Sequence, residues 1–378
     1  MKITFISNFL NHHQIPFCLE MHKILGSNYH FISTVPMDAE RTNMGWKVVK
    51  EYSFEVKAYE SKRLCQKAHE LAFESDIVII GSAPDEYIIP RLKKNKITFK
   101  YSERPYKDGI KITNFIRVLG GTWLHHGRFQ SKPLYMLCAS SYTASDFYKM
   151  GCYKNKCYRW GYFPEAKEYD IQKLIESKSN IEINILWVGR LIPLKHPEKA
   201  LRLASKLKRQ GYSFHLNVVG DGEMRSFLEQ YQYELDVADK ITFNGSVPAE
   251  EVRAYMERAS IFLFTSDKKE GWGAVLNESM NSGCAVVAND EIGSVGFLLQ
   301  DEQNGLMYHN GDEEMLFLQT KRLMDSMQLR ERLGHNAYHT VHDTWSAKNA
   351  AANFVALAKH LLSGNQETVA IGPGSKIE

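Results

Sequence analysis

Apolar and polar residues follow two recurring patterns along the first half of the chain. Short, almost uninterrupted apolar runs (KITFIS, YHFISTV, DIVIIGS, KITFKYS, LYMLCAS) are separated by stretches in which apolar residues return every three or four positions, clearest at about 15–25 and 63–73. Runs of the first kind predict strands buried on both faces, and the second kind predicts the helices that cover them. SYTASDFYKMG, after LYMLCAS, opens on Ser and Thr and closes on Gly, the start and stop signals of a helix. Together they predict βαβ units and a parallel sheet.

The rhythm breaks across CYRWGYFPEAKEYDIQKLIESKSNIEI, where Pro164 and a run of charges interrupt it. A second series then begins: INILWVG, a helix over about 197–210, FHLNVVG, a helix over 223–233, KITFNGSV, a helix over 249–258, IFLFTS, a helix over about 274–282, and CAVVAN. The expected fold class is therefore α/β, with two doubly wound, Rossmann-like domains, 1–165 and 166–345, facing a central cleft that takes ligands at the carboxyl ends of the strands. After about residue 323 the pattern is helical and ends in TWSAKNAAANFVALAKHLL, an amphipathic helix over 346–363. The last stretch, 364–378, has Gly and Pro without periodicity and predicts a mobile tail.

A length of 378 residues with 44% hydrophobic content agrees with two cores rather than one. MKITFISNFL reads as a first strand, not a signal peptide, and no run approaches the roughly 18 apolar residues of a spanning helix, so a cytoplasmic protein is expected. Six cysteines without a CxxC spacing predict reduced thiols, not a disulfide frame or zinc site. Charge is uneven: residues 1–165 hold 24 Lys+Arg against 15 Asp+Glu, a net +9, and the remainder 23 against 29, a net −6. The excess concentrates in 91–132, with 11 basic residues against Glu103 and Asp108, which calls for an anionic partner or a solvated face. Nucleic acid is an unsuitable partner, because no RNP-like, helix-turn-helix or zinc motif accompanies that segment.

Candidate chemistry concentrates in the second domain. EGWGAVLNE places Glu270 and Glu278 on either side of Gly271, Trp272 and Gly273, with a helix starting near Ala274. INILWVG delivers Gly189, then Arg190 and Lys195, two cations at a strand's carboxyl end where a pyrophosphate needs them. FHLNVVG runs into Gly220, Asp221 and Gly222, where glycines allow backbone amides to approach a ligand. Two acids flanking a diphosphate subsite would grip hydroxyls of a sugar on one side and a ribose on the other, the shape of a nucleotide sugar. No apolar strand ends in an Asp-x-Asp pair, so no metal and no other cofactor is expected, the nucleotide sugar being a co-substrate.

In this order GRLIPLK, VVGDGE, ITFNGSV, TSDKKEGWGAVLNESMNSGCAVVAND and NGL resemble the donor-site elements of the family 4 retaining glycosyltransferases of the GT-B fold, over about 183–306. The resemblance implies that Arg190 and Lys195 hold the diphosphate, Glu270 binds donor-sugar hydroxyls, Glu278 binds the ribose, and the NGSV loop with Gly245 and Val247 lies against the base. It implies that the last helix crosses back to the N-terminal domain and that transfer retains anomeric configuration by same-face attack. Leaving-group stabilisation by Arg190, Lys195 and the helix terminus, with Glu270 on the sugar, would then be the main catalytic contribution. The N-terminal half looks like a subgroup of bacterial polysaccharide glycosyltransferases that share an N-H-H-Q first loop and a Y-S-E-R element. Asn11, His12, His13, Glu103 and Arg104 are its acceptor-side candidates, with Glu103 and Arg104 alternatively pairing with each other. The expected acceptor is a saccharide, polyprenol-linked, with 91–132 resting on an anionic membrane or forming a solvated face. A sugar-nucleotide epimerase or hydrolase of the same fold, and a non-catalytic nucleotide-binding scaffold, are the competing readings.

Overall fold

The computed structural model describes residues 1–37, 51–109, 113, 115–178, 182–364 and 369–378. It divides into two compact units, Met1–Glu165 with Trp345–Glu378, and Ala166–Thr344. Parts of two expected segments, 110–112 and 114 of the basic stretch and 365–368 of the tail, lie outside the described residues.

The first unit is built on a seven-stranded sheet: β1 (Ile3–Ser7), β2 (Tyr29–Ser33), β3 (Glu55–Lys57), β4 (Ile77–Ile80), β5 (Thr98–Ser102), β6 (Leu134–Cys138) and β7 (Cys157–Arg159). Its spatial order is β3-β2-β1-β4-β5-β6-β7, and every pairing is parallel. The second unit has β8 (Ile183–Val188), β9 (Phe214–Val219), β10 (Ile241–Gly245), β11 (Ile261–Phe264), β12 (Ala285–Asn289) and β13 (Leu306–Tyr308) in the order β10-β9-β8-β11-β12-β13, also parallel throughout. Every residue of β1, β4, β11 and β12 is buried, which is why these strands read as unbroken apolar runs. The expected two Rossmann-like sheets are thus present. In each, strand order reverses next to the first strand, between β1 and β4 and between β8 and β11, so neighbouring loops part there and leave room for a ligand.

The terminal helix, Ala347–Ser363, belongs to the first unit and packs on the Ile15–Leu25 helix. Ser346 caps it through the Asn349 amide at 3.3 Å, and Gly364 in the left-handed region (φ 73°) ends it. Phe354 anchors it, fully buried and edge-on to Phe99 (5.2 Å) and Trp160 (5.6 Å). Burial of such a ring contributes roughly 2–3 kcal/mol. The mobile tail expected over 364–378 does not describe its last residues. Arg159 N–H donates to Ser375 O (2.8 Å), Gly374 N–H to Arg159 O (2.7 Å) and Ile377 N–H to Cys157 O (2.9 Å). The tail bonds to the outer edge of β7, whose backbone groups would otherwise be unpaired. That cause lies in the sheet, so no periodicity in the tail announced it.

Candidate active site

In the second unit the loops that leave β8 and β11 flank the point of strand reversal, and they carry Lys195 and Glu270. Their side chains form an ion pair, Lys195 Nζ on Glu270 Oε2, with only 14% and 13% of each side chain exposed. Arg190, on the same loop as Lys195, is exposed and has no ion pair or side-chain hydrogen bond among the described residues. The two loops are stitched together from below. Trp187 Nε1–H donates to Thr265 Oγ1 (2.8 Å), Thr265 Oγ1–H donates to Lys195 O (2.7 Å), and Asp267 N–H donates to Leu194 O (3.0 Å). Thr265 and Asp267 were missed in the sequence because a Thr and an Asp after an apolar strand look like ordinary turn residues.

Gly189, Gly220, Asp221 and Gly245 do come together, but not as an amide cradle. Gly220 N–H donates to Gly245 O (2.8 Å), Gly189 N–H to Val219 O (3.0 Å), and Leu191 N–H to Asp221 O (2.9 Å). The expectation that glycine exposes backbone donors to a ligand is therefore corrected for Gly220. Its φ of 130° and lack of a side chain let the chain pass against Gly189, whose carbonyl a Cβ would strike. Val247 is half-buried beyond the end of β10.

The EGWG turn needs glycine at its fourth position: Gly273 has φ 80°, and a Cβ there would collide with the Phe264 ring. Trp272, expected at the donor, is instead fully buried, and its indole N–H donates to Asn277 Oδ1 (2.8 Å). A large apolar side chain between two backbone-permissive glycines is pulled inward, so it anchors the turn from beneath. Ala274 precedes a seven-residue helix, Val275–Asn281, whose first turn holds Glu278. Glu278 Oε1 stands 3.9 Å from the guanidinium of buried Arg253, which also donates to the Glu278 carbonyl (3.2 Å) and to Asn281 Oδ1 (2.9 Å). Burial raises the Glu278 carboxyl above its usual range and Arg253 opposes that rise.

In the first unit, Asn11, His12 and His13 leave β1, again at the strand reversal. Asn11 Oδ1 accepts from the His13 (3.0 Å) and Gln14 (3.2 Å) amides and so shapes the loop. The two imidazole rings lie 3.8 Å apart, and His13 stacks on Tyr162 (5.8 Å, 9° between planes). Burial lowers His12 to about 4, and burial followed by repulsion from His12 lowers His13 to about 3. Tyr162 O–H donates to Glu103 Oε1 (2.5 Å), which joins the two candidate loops through a residue the sequence reading passed over. Tyr162 sits in an aromatic-rich stretch before Pro164, and that clustering was the available signal. Glu103 and Arg104 do not pair with each other. Glu103 takes Lys107, while Arg104 binds Asp146 (3.0 Å) and covers the Tyr142 ring (4.7 Å).

The basic stretch 91–132 is not one patch. Arg91 is fully buried and donates to carbonyls of Ala72 (2.6 Å), Ser75 (2.6 Å) and Ile97 (2.8 Å), a structural role that removes it from any anionic surface. Lys100 is mostly covered and binds Asp85 at 2.7 Å. Beside exposed Lys93, Lys94, Arg117 and Arg128, the stretch exposes an apolar ridge: the helix Phe115–His125 leaves Ile116 84% and Trp123 60% exposed, with Phe115, Leu119 and Leu124 also open. Among the described residues no helix is long and apolar enough to cross a membrane.

Comparison with known proteins covers this geometry unevenly. Residues 169–340 match the family model of glycosyl transferases group 1. A GDP-mannose-dependent alpha-(1-6)-phosphatidylinositol monomannoside mannosyltransferase of Mycolicibacterium smegmatis is 25% identical over 189 residues, 48% of each chain. An amylovoran biosynthesis glycosyltransferase of Erwinia amylovora is 28% identical over 174 residues, 44% of this chain and 42% of its own. The chain spans about half the length of the curated relatives it matches. The Anabaena HepE structure in complex with UDP superposes with a TM-score of 0.67 at 16% identity, over 96% of this chain and 100% of that one. The fold is thus that of the GT-B glycosyltransferases, and the segment that carries Lys195, Glu270 and Glu278 is the one that matches the glycosyl transferases group 1 family.

Proposed function

We propose that the chain is a retaining glycosyltransferase of family 4 that moves a sugar from a nucleoside-diphosphate donor, a UDP-sugar, to a lipid-linked saccharide acceptor during synthesis of a cell-surface polysaccharide. The observation that carries this reading is the Lys195–Glu270 pair at the strand reversal, with uncommitted Arg190 on the same loop. Arg190 and Lys195 meet the charge of the diphosphate as it leaves, Glu270 accepts hydrogen bonds from sugar hydroxyls, and Glu278 accepts from the ribose. Lys195 and Glu270 pair with each other in the structure. A donor must therefore part them, its phosphate taking Lys195 and its sugar taking Glu270. Attack comes from the face the leaving group departs, with a donor phosphate oxygen helping to take the acceptor proton. This chemistry uses no resident metal.

Support for the donor comes from the family match and from the UDP bound by the Anabaena neighbour, and support for a biosynthetic role from the amylovoran biosynthesis named for the Erwinia relative. Acceptor binding is assigned to the first unit's loops, where His12, His13, Tyr162 and Glu103 form an aromatic and hydroxyl-seeking surface. The exposed apolar ridge of Phe115–His125, bordered by exposed Arg117 and Arg128, suits an anionic bilayer that carries such an acceptor, on the cytoplasmic side.

A melt of the protein with UDP, GDP and ADP and their sugars, with and without EDTA, tests the donor. A ligand at a hundred times its dissociation constant adds about 2.7 kcal/mol, a shift of a few degrees. One base that raises the melt, unaffected by EDTA, is the expected result; no shift with any nucleotide overturns the reading. Flotation with anionic liposomes tests the membrane face. Trp123→Ser with Ile116→Ser should abolish salt-sensitive flotation, and a wild-type chain that stays at the bottom of the gradient removes the idea.

A further inference from the structure

His196, next to Lys195, adopts φ 50° and ψ 49°, the left-handed conformation that glycine enters freely and a side chain enters at an energetic cost. A glycine would ease the turn, so the imidazole needs a reason to be there. The ring supplies it: Nδ1 lies 3.0 Å from Glu198 Oε1 and Nε2 lies 3.3 Å from Asp267 Oδ2. Glu198 lies in the first turn of the Pro197–Arg209 helix, whereas Asp267 lies in the loop after β11. The histidine therefore spans the two loops that carry Lys195 and Glu270.

Asp267 makes that span matter for the site. Its Oδ1 accepts from the Lys269 amide (2.8 Å), its carbonyl accepts from the Glu270 amide (3.0 Å), and its own amide donates to Leu194 O (3.0 Å). Every polar group of Asp267 thus serves the Glu270 turn or the Lys195 turn, and His196, with Thr265 beneath it, is a side chain that joins them. Capping does not explain the residue, since its side chain makes no cap bond to the helix it precedes.

We propose that His196 is a positioning residue that fixes Lys195 in register with Glu270, so that one donor can reach both. The assignment rests on the reading of this site as a nucleotide-sugar donor site. It gives the chain a determinant of diphosphate affinity that touches neither phosphate nor sugar.

The test is a double-mutant cycle on nucleotide binding, read by calorimetry with whichever of UDP, GDP and ADP the wild-type chain binds. His196→Gly relaxes the backbone and removes the ring. It should weaken the diphosphate about tenfold while changing affinity for the matching nucleoside less than about twofold, and in a Lys195→Ala background it should add nothing further. His196→Asn, which tolerates the left-handed backbone and reaches one carboxylate, should recover part of the loss. A loss shared equally by nucleoside and diphosphate, or one that persists after Lys195→Ala, would mean that His196 only supports the fold, and the positioning role would be overturned. Unchanged diphosphate affinity in His196→Gly overturns it as well. A wild-type chain that binds none of the three nucleotides removes the donor-site reading instead, and this assignment with it.

Discussion

The two sheets share one topology and differ in what they place at the point where strand order reverses. After β1 the loop carries two adjacent histidines that burial favours in the neutral form, one of them stacked on a tyrosine. After β8 it carries an exposed arginine and a lysine held by a carboxylate. Burial pushes the first set toward the uncharged form, whereas in the second Arg190 is exposed and Lys195 is paired with Glu270. On the proposed reading, one backbone plan would serve two ligand chemistries: a hydroxyl-rich partner on the first unit and an anionic diphosphate on the second. The lesson is that a doubly wound sheet sets where a site lies, and loop composition sets what it can hold.

The largest break in this comparison should come from Gly220→Ala. The added methyl strikes the Gly189 carbonyl at a φ of 130°, so the second unit should lose about 3 kcal/mol or more while the first keeps its own core. Two-transition calorimetry would show the second unit's transition alone moving down; equal movement of both would tie the units energetically.

Next is Glu270→Gln. Without a carboxylate opposite Lys195, transfer should fall about a hundredfold, yet the diphosphate should bind as tightly as before or tighter, because Lys195 no longer has to leave a partner. The sequence alone suggested that Glu270 concerned only the sugar; the ion pair makes it a competitor for the lysine. Calorimetry beside a transfer assay separates these, and a weakened diphosphate with intact transfer would reverse the roles.

A smaller effect follows from pH. His12, His13, His30 and His126 in the first unit are all shifted down by burial, to about 4, 3 and 3 for His12, His13 and His126. Their unfolded forms take up protons below about 6.5 while the folded forms do not. Stability of the first unit should thus be full above that value and fall as pH drops from 6.5 toward 4. His309 of the second unit shifts the other way, through its hydrogen bond to Asp290, and gains stability below its ordinary value. Hydrogen exchange at pH 7 and 5 should show the first unit opening more at the lower value, and His12→Asn should reduce that difference. Uniform protection at both pH values would contradict the buried-neutral description.

Trp272→Phe should be the mildest change, about 1 kcal/mol from the lost bond to Asn277, with nucleotide affinity nearly kept. A large loss of affinity at unchanged melting temperature would return Trp272 to the donor surface.

Much of the fold was legible because burial on both faces writes itself as continuous apolar runs. The strands missed in the sequence were the short ones, Glu55–Lys57, Cys157–Arg159 and Leu306–Tyr308, too brief for any period. At the site, Lys195, Glu270 and Glu278 were legible because they stand in glycine-punctuated segments that follow apolar strands. It could not show that Trp272 turns inward, that Arg91 donates to backbone carbonyls around it, or that His196 bridges two acids, since each depends on how the chain packs in space.

The sequence by itself therefore determined the layers, the strand ends and the residue types found there, because hydrophobic periodicity and chain order are local properties. Only the tertiary structure decided which of those residues meet. Lys195 and Glu270 are 75 positions apart, and it is the parallel pairing of β8 with β11 that brings their loops side by side and lets opposite charges neutralise each other.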